Sequence, residues 1–145
     1  MCFESVGLYL NLKVTLLPTV WPISSKSKSL PIFVKERELI FKASDIMVLP
    51  FEEVYQSASI LMGMSYSLPV ITSDILGFKE FIKDGFNGLL FKKNDSNDLY
   101  QKINIIFNDN NLFKKLEKNS LLTMKRNFSW HNIALQYKNI LLYYN

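Results

Sequence analysis

The sequence predicts an α/β fold in which a parallel sheet is flanked by helices and followed by a helical C-terminus. Three observations predict it. Short apolar runs recur at Ile46-Met47-Val48-Leu49, Pro69-Val70-Ile71-Thr72 and Gly88-Leu89-Leu90-Phe91. Helical patterns separate them, as parallel neighbours require, because successive parallel strands need a crossover. Beyond the third run the apolar positions take helical spacing, with Leu99, Ile103 and Ile106 at i, i+4 and i+7.

Residues 1–33 hold short apolar pieces such as 14–17, then Pro18, Pro22 and a Ser/Lys run, and read as one candidate strand and a flexible linker. A short helix follows over residues 36–43, and then the first buried strand, stopped by Pro50, which has no N–H to donate. Residues 56–67 read as a buried helix: Ile60, Leu61, Met62 and Met64 supply apolar surface on more than one side, and Ser57 or Ser59 caps the first turn. After the second strand come a short helix over 77–82 and the turn Asp84-Gly85-Phe86-Asn87-Gly88, which feeds the third. Another helix runs over about 111–125, and the last follows Ser129. Its positions Ile133, Tyr137, Ile140, Leu141 and Tyr144 form one apolar stripe that must lie on something, and Trp130 reads as core.

A chain of 145 residues, 48% hydrophobic and 14% aromatic, forms about one globular domain, which excludes disorder and collagen-like repetition. Cys2 is the only cysteine and His131 the only histidine, so an internal disulfide, a zinc-spaced cluster and a Cys/His catalytic pair are out. His131 itself reads as a surface or capping residue. The net charge of +4 rests on 15 Lys scattered along the chain and only two Arg, a pattern of solubility and not of nucleic-acid binding. The early apolar stretch 14–23 is broken by two prolines and is shorter than the roughly 20 residues of a membrane span. Glu4 precedes it where a secretory signal would be basic, which leaves the cytoplasm as the default compartment.

Ligands of open parallel sheets bind outside the carboxyl ends of the strands, which makes loops 50–57 and 73–77 the informative ones. The first carries Glu52, Glu53, Gln56 and Ser57 directly before a helix. A helix N-terminus offers unpaired N–H groups and partial positive charge, so a phosphate could dock there. Equally, Ser57 simply caps the helix and the two carboxylates favour its dipole.

The string Ala43-Ser44-Asp45-Ile46-Met47-Val48-Leu49-Pro50-Phe51-Glu52-Glu53-Val54-Tyr55-Gln56-Ser57-Ala58 continues through Pro69-Val70-Ile71 and through residues 77–91. In that order it resembles the C-terminal nucleotide-sugar-binding domain of group 1 glycosyltransferases. The resemblance covers residues 32–144, including the Phe128-Ser129-Trp130 that opens the family's last helix, and divides the chain into an unassigned segment 1–31 and a domain 32–145. It implies a Rossmann-like sheet, the C-terminal half of a GT-B fold, and retaining transfer of a hexosyl group from a nucleotide diphosphate sugar without a metal or other cofactor. Glu53 matches the first acidic residue of the Glu-x7-Glu signature, whose implied catalytic role is at the donor sugar near the reacting carbon. Gln56, Ser57 and Ala58 match the segment whose amides approach diphosphate and sugar, and Ser59 joins them as implied substrate-binding residues.

The sequence also departs from the family. Ala58 and Ser67 stand where glycine is usual, Leu76-Gly77 replaces a Gly-Gly pair, and Met62 occupies the place of the second Glu, whose ribose hydrogen bonds it cannot make. Glu80 matches a family glutamate. At the start of its short helix it would either satisfy orphan N–H groups or touch substrate. The acceptor-binding N-terminal domain and the basic diphosphate clamp of complete enzymes find no place here, so transfer by this chain alone is expected to be weak or absent. In complete relatives the last helix crosses back to that domain, so part of its face is expected to be exposed. The chain thus reads as a partial glycosyltransferase or, alternatively, a non-catalytic interaction subunit or inactive relic. The partners implied are a nucleotide sugar, a separately encoded N-terminal half, no nucleic acid, and a lipid-linked acceptor that allows peripheral attachment at the inner face of the membrane.

Overall fold

The structure, a computed structural model, describes residues 14–16, 34–53 and 58–143. Its elements run β1 (Val14–Leu16), α1 (Val34–Ala43), β2 (Ile46–Leu49), α2 (Ala58–Ser65), β3 (Val70–Ser73), α3 (Leu76–Lys79), β4 (Leu89–Phe91), α4 (Ser96–Asn108), α5 (Asn110–Asn127) and α6 (Trp130–Tyr143). The four strands form one parallel sheet in the order β1-β2-β3-β4. Met47 pairs with Val70, Leu49 with Thr72, Ile71 with Leu89 and Ser73 with Phe91. The candidate strand of the N-terminal segment therefore takes the edge beside β2.

All four residues of β2 and of β3 are buried, because both faces of the sheet are covered. Met47, Leu49 and Val70 point to one face and pack with Phe41 of α1, Ile60 and Met64 of α2, Phe78 and Ile82. Ile46, Val48, Ile71, Leu89 and Phe91 point to the other and pack with Ile106 of α4 and Leu116 of α5. The result is a Rossmann-like three-layer arrangement in which each fully buried aliphatic or phenyl side chain contributes about 1.5–3 kcal/mol.

The connection from α2 to β3 is a Schellman motif. The Leu68 N–H donates to the Gly63 carbonyl and the Ser67 N–H to the Met64 carbonyl, each at 3.1 Å. The motif needs a left-handed residue, and Ser67 takes it at φ 62°. A side chain there costs about 1 kcal/mol that glycine would not. Ser67→Gly is therefore expected to stabilise the protein by about 1 kcal/mol. It would show as a higher urea midpoint with an unchanged slope.

Three side-chain caps fix the last three helices. Asp95 accepts from the N–H groups of Asn97 (3.1 Å) and Asp98 (3.0 Å), opening α4. Asp109 accepts from Asn111 (3.0 Å) and Leu112 (2.9 Å), opening α5. Ser129 accepts from Asn132 at 3.3 Å, so the last helix does follow Ser129.

Three expectations need correction. No residue of α6 is buried, and the helix leans on α5 along one edge; Leu135, Tyr137, Ile140 and Leu141 are exposed. The stripe signals that a face favours burial, but periodicity does not say what covers it. Trp130 is 86% exposed instead of core: it opens a helix none of whose residues is buried. Finally, α3 ends at Lys79 and Glu80 is its C-terminal cap, so Glu80 cannot serve orphan N–H groups at a helix start. Among the described residues no helix is long and apolar enough to cross a membrane.

Candidate functional site

At the carboxyl end of the sheet β2 stops at Leu49, and Pro50 begins the loop that leads to α2. Pro50 cannot extend the ladder. Two contacts hold the described part of this loop. The buried Ser73 hydroxyl, at the end of β3, donates to the Phe51 carbonyl at 2.6 Å and lies 3.4 Å from the Leu49 carbonyl. The Phe51 ring stacks on Phe78, centroids 5.6 Å apart, and Phe78 is fully buried. Beyond them Glu52 and Glu53 project into solvent.

The neighbouring loop is tied to the strand beside it. Asp74 donates its N–H to the Phe91 carbonyl at 2.8 Å and accepts from the Lys93 N–H at 3.0 Å. Between these loops and the start of α4 lies an open depression of about 250 Å³, lined by Pro50, Phe51, Ser73, Phe91, Asn94 and Leu99. It sits at the carboxyl ends of β2, β3 and β4.

Below α3, the turn into β4 is built around Asn87, which is 1% exposed. Its Oδ1 accepts from the Lys83 N–H at 2.7 Å, and its Nδ2 donates to the Phe81 carbonyl at 2.9 Å and to Thr123 Oγ1 at 3.3 Å. Asp84 accepts from the Leu90 N–H at 2.8 Å. From α5, Asn119 donates to the Phe86 carbonyl (2.9 Å) and Ser120 to the Leu68 carbonyl (3.0 Å). These bonds tie the turn between α3 and β4, and the start of β3, to α5.

Of the residues singled out in the sequence, Glu53 stands exposed on that loop, Ala58 opens α2 exposed, and Ser59 is half-buried one position on. Gln56 and Ser57 lie outside the described residues. Met62 is on α2 and 37% exposed. The sequence directed attention to loop 73–77 but missed the fastening roles of Ser73, Phe51 and Phe78. The one available signal was a small hydroxyl closing an apolar strand next to a proline-terminated one. Among the described residues no three His, Cys, Asp or Glu side chains cluster as metal ligands.

Comparison with known proteins agrees with this geometry. The family described as "Glycosyl transferases group 1" matches residues 25–109, more than half of the chain. A glycosyltransferase of Methanocaldococcus jannaschii is 32% identical over 102 residues, 70% of this chain and 26% of that protein. A second from the same organism is 38% identical over 78 residues, 54% of this chain and 22% of that protein. The chain thus spans about a quarter of the length of these relatives. Among solved structures, sucrose-phosphate synthase from Thermosynechococcus elongatus superposes with a TM-score of 0.65 at 26% identity, over 73% of this chain and 27% of that one. Anabaena HepE, in complex with UDP-glucose, superposes with a TM-score of 0.64 at 21% identity, over 70% of this chain and 28% of that one. The chain belongs to the group 1 glycosyltransferases and carries the Rossmann-like fold of their GT-B architecture.

Proposed function

We propose that this chain supplies the donor half of a glycosyltransferase, a surface that holds a nucleotide diphosphate sugar for retaining transfer of a hexosyl group to a glycan or lipid-linked acceptor. One observation carries the reading: Glu53 is exposed on a fastened loop at the carboxyl end of β2, in the segment of chain that leads to α2. A helix N-terminus offers a diphosphate N–H groups and partial positive charge, so this reading calls for no metal ion. By the family resemblance Gln56, Ser57, Ala58 and Ser59 are assigned to the diphosphate and sugar, and the Glu53 carboxylate to the sugar. In the transfer the bond from the anomeric carbon to the leaving phosphate oxygen breaks. A bond to the acceptor oxygen forms on the same face as the acceptor hydroxyl gives its proton to the departing phosphate oxygen, and the helix end stabilises the departing nucleoside diphosphate. The opposing cleft wall and the acceptor site belong to a second Rossmann-like half, in keeping with the quarter-length match to the relatives.

Calorimetric titration with UDP-glucose and UDP, and with a GDP-sugar, tests the reading. UDP-glucose is expected to bind, and Glu53→Ala to weaken it about tenfold, the loss of one charge-assisted hydrogen bond. UDP should change less than about twofold, because that carboxylate is assigned to the sugar. Absence of heat with every ligand at millimolar concentration overturns the donor reading. The exposed apolar face of α6 supports a second one, a non-catalytic subunit that docks on a separately encoded N-terminal half. A nucleotide-inert chain would leave that second reading standing.

A further inference from the structure

We infer that Ser73 is a positioning residue for the donor sugar, acting through the loop that carries Glu53; the inference rests on the donor reading above. Adjacent hydroxyls on β3 provide an internal comparison. Thr72 Oγ1 is buried with no hydrogen-bond partner, whereas Ser73 Oγ, also buried, finds the Phe51 carbonyl at 2.6 Å. A serine hydroxyl has a single proton, so the shorter contact takes it and the Leu49 carbonyl at 3.4 Å is secondary.

The Phe51 carbonyl belongs to the peptide plane joining Phe51 to Glu52. Peptide planes are rigid, so once this one is fixed only φ and ψ of Glu52 separate it from the plane that holds the Glu53 Cα. The sheet does not do this work, because β2 ends at Leu49 and Pro50 cannot donate. Phe51 stacking on Phe78 holds the loop down but leaves the plane free to turn about the ring axis. The Ser73 hydroxyl stops that turn. It touches neither sugar nor phosphate, and its effect reaches the substrate only through where the Glu53 carboxylate stands.

A binding cycle with an NMR relaxation readout tests this. Ser73→Ala is expected to weaken UDP-glucose about fivefold while UDP changes less than about twofold. Ser73→Thr, which keeps the hydroxyl, should restore most of the loss. Ser73→Cys, which keeps the volume but offers a weak donor, should behave like alanine. In the Glu53→Ala background, Ser73→Ala should cost nothing further, since the group it positions is gone. A serine that merely stabilised the fold would lower both ligands alike and add to Glu53→Ala. Without ligand, the backbone order parameters of Glu52 and Glu53 should fall in Ser73→Ala and Ser73→Cys, with those of β3 unchanged. If the wild-type chain binds UDP-glucose and Ser73→Ala keeps its preference over UDP, the inference fails and the donor reading survives. If the wild-type chain binds no nucleotide, the donor reading fails and Ser73 has no substrate to position.

Discussion

Replacing Phe78 with alanine is expected to cost about 3–5 kcal/mol, the loss of a large, fully buried side chain. The ring is fully buried between the sheet and α2, in the cluster with Met47, Leu49, Ile60 and Val70. Removing it forfeits the transfer energy of the phenyl group and leaves a cavity that the surrounding strands cannot close, because β2 and β3 are pinned by their ladder. Against the total of about 5–15 kcal/mol that a domain holds, this is a large fraction. A fall in the melting temperature of roughly 10–20 °C should follow. Phe51, half-buried above it, loses its stacking partner at the same time. Loss of stability and loosening of loop 50–53 should therefore appear together. Phe78→Leu, which refills most of the space, should recover more than half of the stability. A Phe78→Ala protein that melts within about 3 °C of wild type would contradict the burial described here.

Asn87→Ala is expected to cost about 3 kcal/mol for a different reason. Few atoms leave, but the Lys83 N–H, the Phe81 carbonyl and the Thr123 hydroxyl all lose the partner around which the turn is folded. Groups stripped of water and then of their hydrogen bonds bear the full desolvation penalty. Asn87→Asp separates this from volume, since it keeps the shape and the acceptor for Lys83 but turns a donor into an acceptor facing the Phe81 carbonyl. The aspartate variant should be at least as unstable as alanine at neutral pH. It should regain stability on acidification, because a buried carboxylate facing a carbonyl has its folded-state pKa raised and folding takes up the proton. Urea titrations at pH 7 and pH 5 would show it, and a pH-independent aspartate variant would contradict the assignment of Nδ2 to Phe81.

The strands were legible because they are covered on both faces. A strand buried on both faces is predominantly apolar, so Ile46-Met47-Val48-Leu49 can be read without knowing its partners. Boundaries slipped where polar residues were borrowed by tertiary structure. Ser73 belongs to β3 because it pairs with Phe91, and Pro69 falls outside it although its carbonyl accepts from the Met47 N–H at 3.0 Å. Asn87 read as a turn residue, which it is, but its burial depends on Thr123, 36 positions away. The loop that carries Glu53 was legible as a location. The hydroxyl that fastens it was not, since a contact between residues 51 and 73 leaves no trace in local pattern. For α6 the sequence showed that a face favours cover, and the exposed Trp130 and Tyr137 show that its own domain supplies little of it.

The strand order has a bearing on how the molecule assembles. Each strand lies beside the one that follows it in the chain, with no return across the sheet. Ring-closing costs stay small at each addition, since every pairing joins strands consecutive in the chain and none reaches back over the whole polypeptide. Growth can start at the central β2–β3 pair and spread to both rims. Mishaps at a rim, such as a frayed outer strand, then leave the centre and its fastened loop intact.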